Sequence, residues 1–175
     1  VGRTAENAGG DFKYRGSYLD IAVKIRELLP AWQVEMTGFF RLVVFNYLFA
    51  NGDAHLKNFS VQQTPDGDYR LAPAYDLLNS HLHVDDSDFA LSKGLMPRPE
   101  WSDTYERMGH PCAEDFRRFG RLAGLNDKQT DKVLALFAEP KDEVAQLTER
   151  SFLDKRLQRM YLQSYKERLS RFNRR

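Results

Sequence analysis

This chain is short of most features that announce a function class at a glance. It holds a single cysteine, Cys112, among 175 residues. An internal disulfide is thereby excluded, and a reducing, cytoplasmic setting is expected. Cys112 also lacks a nucleophile's surroundings. His110 is two positions away, but Pro111 separates them and nothing marks a triad. The expectation is an ordinary cysteine at a helix start. No apolar run reaches the roughly 18 residues that a membrane span needs. The longest, Leu42 to Ala50, is interrupted by Asn46. An excess of one charge is missing too: 26 basic residues face 25 acidic ones, for a net +1. That balance argues against a chain built mainly to bind nucleic acid. Repeats and low-complexity stretches are absent. So is a glycine-rich phosphate loop, because Gly9-Gly10 lacks the Gly-x-Gly-x-x-Gly pattern and follows no strand.

What is present suffices for one domain with a real core. Apolar residues are 42% and aromatic ones 13% of a chain of ordinary single-domain length. Residues 1–17, rich in glycine and charge, read as an extended connector. Ser17 to Leu29 reads as a helix, with Ser17 as N-cap and Asp20 at the third position. Ile21, Ile25, Leu28 and Leu29 form its stripe, and Pro30 ends it. Trp32 to Ala50 reads as the principal helix. Met36, Phe39, Phe40, Val43, Val44, Tyr47 and Leu48 recur at spacings of three and four. The second half is apolar nearly all round, which predicts burial.

That helix runs into Asn51-Gly52-Asp53-Ala54-His55-Leu56-Lys57-Asn58. Asn51-Gly52 is expected to stop it, since both residues tolerate positive φ. An acid, an imidazole, an ammonium and two amides then crowd one loop on a rigid base, which is how catalytic groups are commonly presented. Residues 59–63 and 69–72 read as a hairpin around Thr64-Pro65-Asp66-Gly67-Asp68. Asp76 arrives 18 residues after Asn58. Asp53 and Asn58 stand in the Asp-x-x-x-x-Asn frame of a kinase catalytic loop, where the aspartate is the base and the asparagine a magnesium ligand. With Asp76 as a second metal aspartate, the three are expected to converge at one end of the helix and hairpin.

The run Asn51-x-Asp53-x-His55-x-Lys57-Asn58-Phe59-Ser60, followed by Tyr69-Arg70-Leu71-Ala72-Pro73-Ala74-Tyr75-Asp76, resembles the C-terminal lobe of HipA-type kinases. These are serine/threonine kinases of bacterial toxin–antitoxin modules. Phe12 to Tyr18 and the helical tail fit the same pattern. The resemblance spans nearly the whole chain and is most specific over 51–76. It implies a mainly α fold with one small β-hairpin. Residues 1–17 would lead from an N-lobe. Residues 18–175 would form the C-lobe, with catalytic loop 51–60, hairpin 59–72, metal-aspartate loop 73–80 and helical tail 111–172. It implies ATP- and Mg²⁺-dependent transfer to a Ser/Thr hydroxyl, with Asp53 as base and Asn58 and Asp76 as Mg²⁺ ligands. His55 would organise the loop, and Lys57 would contact phosphate. The implied partners are a HipB-like DNA-binding antitoxin and a protein substrate, a class that in the family includes aminoacyl-tRNA synthetases.

A kinase also needs a glycine-rich loop and a β-strand lysine. Only 50 residues precede Asn51, and they read as a connector and two helices. The chain, which begins with Val1, is therefore expected to be one lobe of a longer protein or to work with a separate N-lobe chain. Alone it is expected to be nearly inactive, because phosphoryl transfer depends on positioning. Two other readings stay open. One is a non-catalytic protein-interaction subunit with the same fold. The other is a metal hydrolase using Asp53, His55, Asp76 and either His81 or His83, two histidines that would share a face on a strand.

Downstream, Leu77 to Asp88 holds these histidines and three aspartates, and by kinase analogy His81 to Lys93 would lie near a protein substrate. Leu91 to Glu100 is a turn-rich break. Helices are expected over 101–108, 114–123, 140–150 and 151–172, and another from an Asn126 N-cap with Gln129 at its third position. Residues 150–175 carry nine basic and two acidic residues. Nucleic acid or tRNA is a conceivable partner, but the charges surround an apolar stripe and lack a stacking set. A solvated face whose arginine stems cover the core is favoured.

Overall fold

The computed structural model describes residues 10–85 and 87–174. Residues 1–9 of the expected connector, with Gly9 among them, and Asp86 and Arg175 of the stretches read above lie outside them. The elements are α1 (Tyr18–Leu28), α2 (Trp32–Leu48), β1 (Val61–Gln63), β2 (Tyr69–Leu71), α3 (Asp103–Met108), α4 (Ala113–Ala123), α5 (Asp127–Ala135), α6 (Asp142–Glu149) and α7 (Lys155–Phe172). Short 3-10 turns occupy Gly10–Tyr14, Leu56–Asn58, Ser80–Leu82 and Arg98–Glu100. The architecture is mainly helical with one two-stranded antiparallel sheet, in which Val61 faces Leu71 and Gln63 faces Tyr69. No helix among the described residues is long and apolar enough to cross a membrane.

The whole fold is arranged around α2. It packs against α1, α4, α5, α7 and β2. Phe39, Phe40, Phe116 and Phe119 are each 1% exposed or less. Phe40 stacks on Phe119 at 5.8 Å, and Phe39 meets Phe59 edge-on at 5.4 Å. Each such ring, once buried, contributes on the order of 2 kcal/mol. Ser17 and Asp20 form the expected reciprocal cap of α1, with Ser17 N donating to Asp20 Oδ2 at 2.8 Å and Asp20 N to Ser17 Oγ at 3.2 Å. Asn126 and Gln129 cap α5 in the same way.

Several local expectations are corrected. Residues 10–14 form a 3-10 turn, not extended backbone, and Phe12 within it is buried. The end of α2 turns on Ala50, whose φ is 55°. Asn51 N donates to Asn46 O at 2.9 Å and Ala50 N to Tyr47 O at 3.2 Å. This double closure puts the left-handed residue one position before Asn51. The hairpin strands are shorter than 59–63 and 69–72, although Ala72 N still donates to Ser60 O at 2.8 Å. His81 lies in a 3-10 turn with His83 as its C-cap, so they do not share a strand face. Helix α7 starts at Lys155, four residues later than expected, because the Asp154 carboxylate accepts from Arg156 N and Leu157 N.

Candidate active site

The site is built where α2 ends. Asn46 is a buried amide in the otherwise apolar last two turns of α2, and its position has a purpose. Its Oδ1 accepts from Asn51 Nδ2 at 3.1 Å. The same Asn51 Nδ2 donates to the backbone oxygen of Asp76 at 3.0 Å. Asp76 is an exposed residue in the left-handed region, with φ 57°. A non-glycine residue held there costs on the order of 1 kcal/mol or more, so neighbours must enforce it. Asn58 supplies a second restraint, its Nδ2 donating to Asp76 Oδ2 at 2.6 Å. The amide oxygen of Asn58 accepts from His55 N at 2.9 Å. Asn58 and Asp76 are thus directly joined across 18 residues.

Asp53 is exposed on the intervening loop, and its carboxylate accepts from the hydroxyl of Tyr14 at 3.1 Å. The loop backbone is braced from three further directions. Gly52 N donates to Ser80 Oγ at 2.8 Å. The Tyr18 hydroxyl donates to Ala54 O at 2.7 Å. The Tyr75 hydroxyl donates to Lys57 O at 2.5 Å and lies 2.6 Å from Ser60 Oγ. Burial pushes the Tyr18 phenol well above its ordinary pKa, so it remains a donor.

His55 is 8% exposed and meets the Tyr14 ring edge-on at 5.5 Å. Its Nδ1 has no hydrogen-bond partner among the described residues. Burial first, then the nearby Lys13 ammonium, hold its pKa below the ordinary value, and the imidazole is neutral at pH 7. Lys13 feels the opposite influence: the Tyr14 hydroxyl and the carboxylates of Asp53 and Asp76 raise its pKa. Lys57 does not join this group. It is exposed, and its Nζ lies 5.5 Å over the Phe12 ring.

The donors left open are hard oxygens. Asp76 Oδ1 and the second lone pair of Asn58 suit a cation such as Mg²⁺, which takes few protein ligands and keeps waters or phosphate oxygens, while one oxygen of Asp53 stays open beside them. Among the described residues no group of three or more His, Cys, Asp or Glu is arranged to hold a metal ion. The hydrolase set of Asp53, His55, Asp76 with His81 or His83 is therefore not assembled. His81 instead lines a small cavity with Asp88, His110 and Arg168. A larger cavity of about 370 Å³ flanks Asn58, walled by Phe39, Phe45, Ser60, Leu71 and Leu77. A mostly apolar hollow beside a few convergent polar groups is the usual form of a small-molecule site.

Sequence reasoning missed Tyr14, Tyr75, Ser80 and the role of Asn46. Asn46 had a signal, being the one polar break in the apolar run. Tyr75 sits beside Asp76. Tyr14 and Ser80 reach the loop from 39 and 28 residues away, and no local pattern marks them.

Comparison with known proteins gives the following. The model of the HipA-like C-terminal domain matches residues 3–147. A Haemophilus influenzae protein is 27% identical over 172 residues, covering 94% of this chain and 50% of that protein. A Sinorhizobium fredii protein is 40% identical over 60 residues, 32% of this chain and 14% of that protein. Both carry "Putative kinase" in their names. This chain thus spans about half the length of the first relative, and less of the second. Among solved structures, HipA from the Shewanella oneidensis complex of HipA, HipB and operator DNA matches with a TM-score of 0.51 at 19% identity, over 94% of this chain and 38% of that one. At that identity the likeness shows the fold.

Proposed function

The chain belongs to the HipA-like C-terminal domain family, and from that premise we propose that it is the C-lobe of a kinase transferring the γ-phosphoryl of ATP to a serine or threonine hydroxyl. The observation that carries this reading is the Asn51–Asp76–Asn58 arrangement. Two amides from the loop after α2 hold an exposed aspartate in a strained backbone state. Such strain at an exposed carboxylate with an open oxygen is expected at a ligand site. Asn58 and Asp76 would hold Mg²⁺, which when bound with ATP neutralises phosphate charge. Asp53, exposed and 3.1 Å from a phenolic donor, is placed in our reading to accept the proton of an incoming hydroxyl. His55, neutral and buried beneath it, would keep the loop's shape without adding charge. Lys57 serves as a phosphate contact in this scheme only by swinging away from Phe12.

Residues 1–17 as a lead-in and 18–175 as the lobe remain part of the proposal, as does the assembly. Half of the Haemophilus relative lies beyond the matched region. The missing phosphate-binding parts would come from that half or from a separate N-lobe chain, and this chain alone would be nearly inactive. A HipB-like antitoxin is the proposed partner, since one solved fold neighbour comes from a complex of HipA with HipB and operator DNA. A protein substrate, in the class of aminoacyl-tRNA synthetases, and a cytoplasmic setting complete the reading. Calorimetry with ATP and Mg²⁺ tests it, on the chain joined to its N-lobe and on its Asp76→Ala variant. Heat of binding that disappears in the variant supports the reading. Equal binding by both contradicts it.

A further inference from the structure

Asp53 is exposed, and among the described residues the Tyr14 hydroxyl is the only hydrogen-bond donor to its carboxylate. That hydroxyl is not on a free tether. Tyr14 O accepts from Ser92 N at 2.7 Å, Lys93 N donates to Gly16 O at 2.9 Å, and Gly16 N donates to Ser92 Oγ at 3.3 Å. Phe12 anchors the same turn in the core. The Tyr14 ring is held between the edge contact with His55 at 5.5 Å and the Lys13 ammonium, 4.6 Å from its centroid. A 3-10 turn from the start of the described chain is therefore locked against the loop after α2, with an aromatic hydroxyl aimed at one oxygen of the aspartate.

We propose that Tyr14 is a positioning residue, fixing Asp53 Oδ1 so that Oδ2 is presented in one direction to an acceptor hydroxyl. An exposed aspartate otherwise samples several staggered rotamers. Misplacing a reacting group by about 1 Å costs roughly 100-fold in rate. This inference rests on the kinase reading for its consequence, but not for its geometry.

The test has two arms. In the first, three-bond side-chain couplings of Asp53 are measured by NMR in this chain, in Tyr14→Phe and in Tyr75→Phe, which removes a different brace of the same loop. The expected result is a single χ1 rotamer in the wild type and in Tyr75→Phe, and averaged couplings in Tyr14→Phe. Averaged couplings in the wild type, or no change in Tyr14→Phe, overturn the proposal. In the second arm, γ-phosphoryl transfer from ATP to casein is followed with the N-lobe supplied. Tyr14→Phe is expected to lower kcat about tenfold with KM for ATP unchanged. An unchanged kcat beside an inactive Asp53→Asn overturns the positioning role. Full activity of Asp53→Asn instead brings down the kinase reading, while the couplings still decide whether Tyr14 orders the carboxylate.

Discussion

Asp115 and Asp76 are both clamped by their neighbours, but with opposite outcomes. Asp115 is wholly buried. It accepts from Ser102 N at 2.8 Å, Ser102 Oγ at 3.0 Å, Cys112 N at 3.0 Å and Cys112 Sγ at 3.3 Å. Burial raises the Cys112 thiol above its ordinary pKa, so it stays protonated as a donor. Every direction around this carboxylate is satisfied, and it ties the start of α3 to the start of α4. Asp76 is exposed, sits at a positive φ, and takes one side-chain bond on one oxygen. A carboxylate with all its acceptor capacity matched belongs to the scaffold. One that is held by its backbone and left half open is available to a ligand. Asp88 belongs with Asp115. It is shared by the buried Arg168 at 2.8 Å, Arg171 at 3.8 Å and His110 at 2.7 Å, under the Tyr47 ring that faces Arg168.

The contrast can be broken by substitution. The largest stability loss is expected for Asp88→Ala, which leaves the buried Arg168 without its partner and should cost roughly 3–5 kcal/mol in urea unfolding. Asp115→Ala follows at about 3 kcal/mol, as several buried donors lose their acceptor. Asp76→Ala should cost about 1 kcal/mol while removing Mg²⁺-dependent ATP binding; Asp76→Gly should recover about 1 kcal/mol of it by relieving the positive φ. A loss for Asp76→Ala as large as that for Asp115→Ala would erase the distinction between them. The smallest effect is a pH dependence. His55 has a lowered pKa in the folded chain, so the unfolded chain binds its proton more readily. Its stability contribution is whole above the unfolded value of about 6.5 and declines as pH falls towards the folded value. His55→Gln should flatten the slope of unfolding midpoint against pH in that window.

Much of this was legible in the sequence because the carriers are local. The capping pairs Ser17–Asp20 and Asn126–Gln129 are three residues apart, and the α2 stripe repeats within one helix. The Asp53, Asn58 and Asp76 spacing gave the direct Asn58–Asp76 contact. What stayed hidden depends on long-range closure. Arg168, which the charge pattern places on a solvated face, is 4% exposed and paired with a carboxylate 80 positions earlier. The turn holding Tyr14 is tied to Ser92, far along the chain, so local composition alone reads its backbone as extended. Positive φ at Ala50 went unforeseen because alanine has no intrinsic preference for it and the i→i+5 closure enforces it.

The most direct test of the central claim uses Mn²⁺ as a paramagnetic stand-in for Mg²⁺, titrated into the isotope-labelled chain with NMR detection. Broadening confined to residues 53–58 and 76–80, lost in Asp76→Ala and kept in a variant altered at the exposed Asp131, which pairs with Arg117 on α4, is the predicted result. Broadening that survives Asp76→Ala, or that centres elsewhere on the surface, would contradict the assignment of this loop as the metal and nucleotide site.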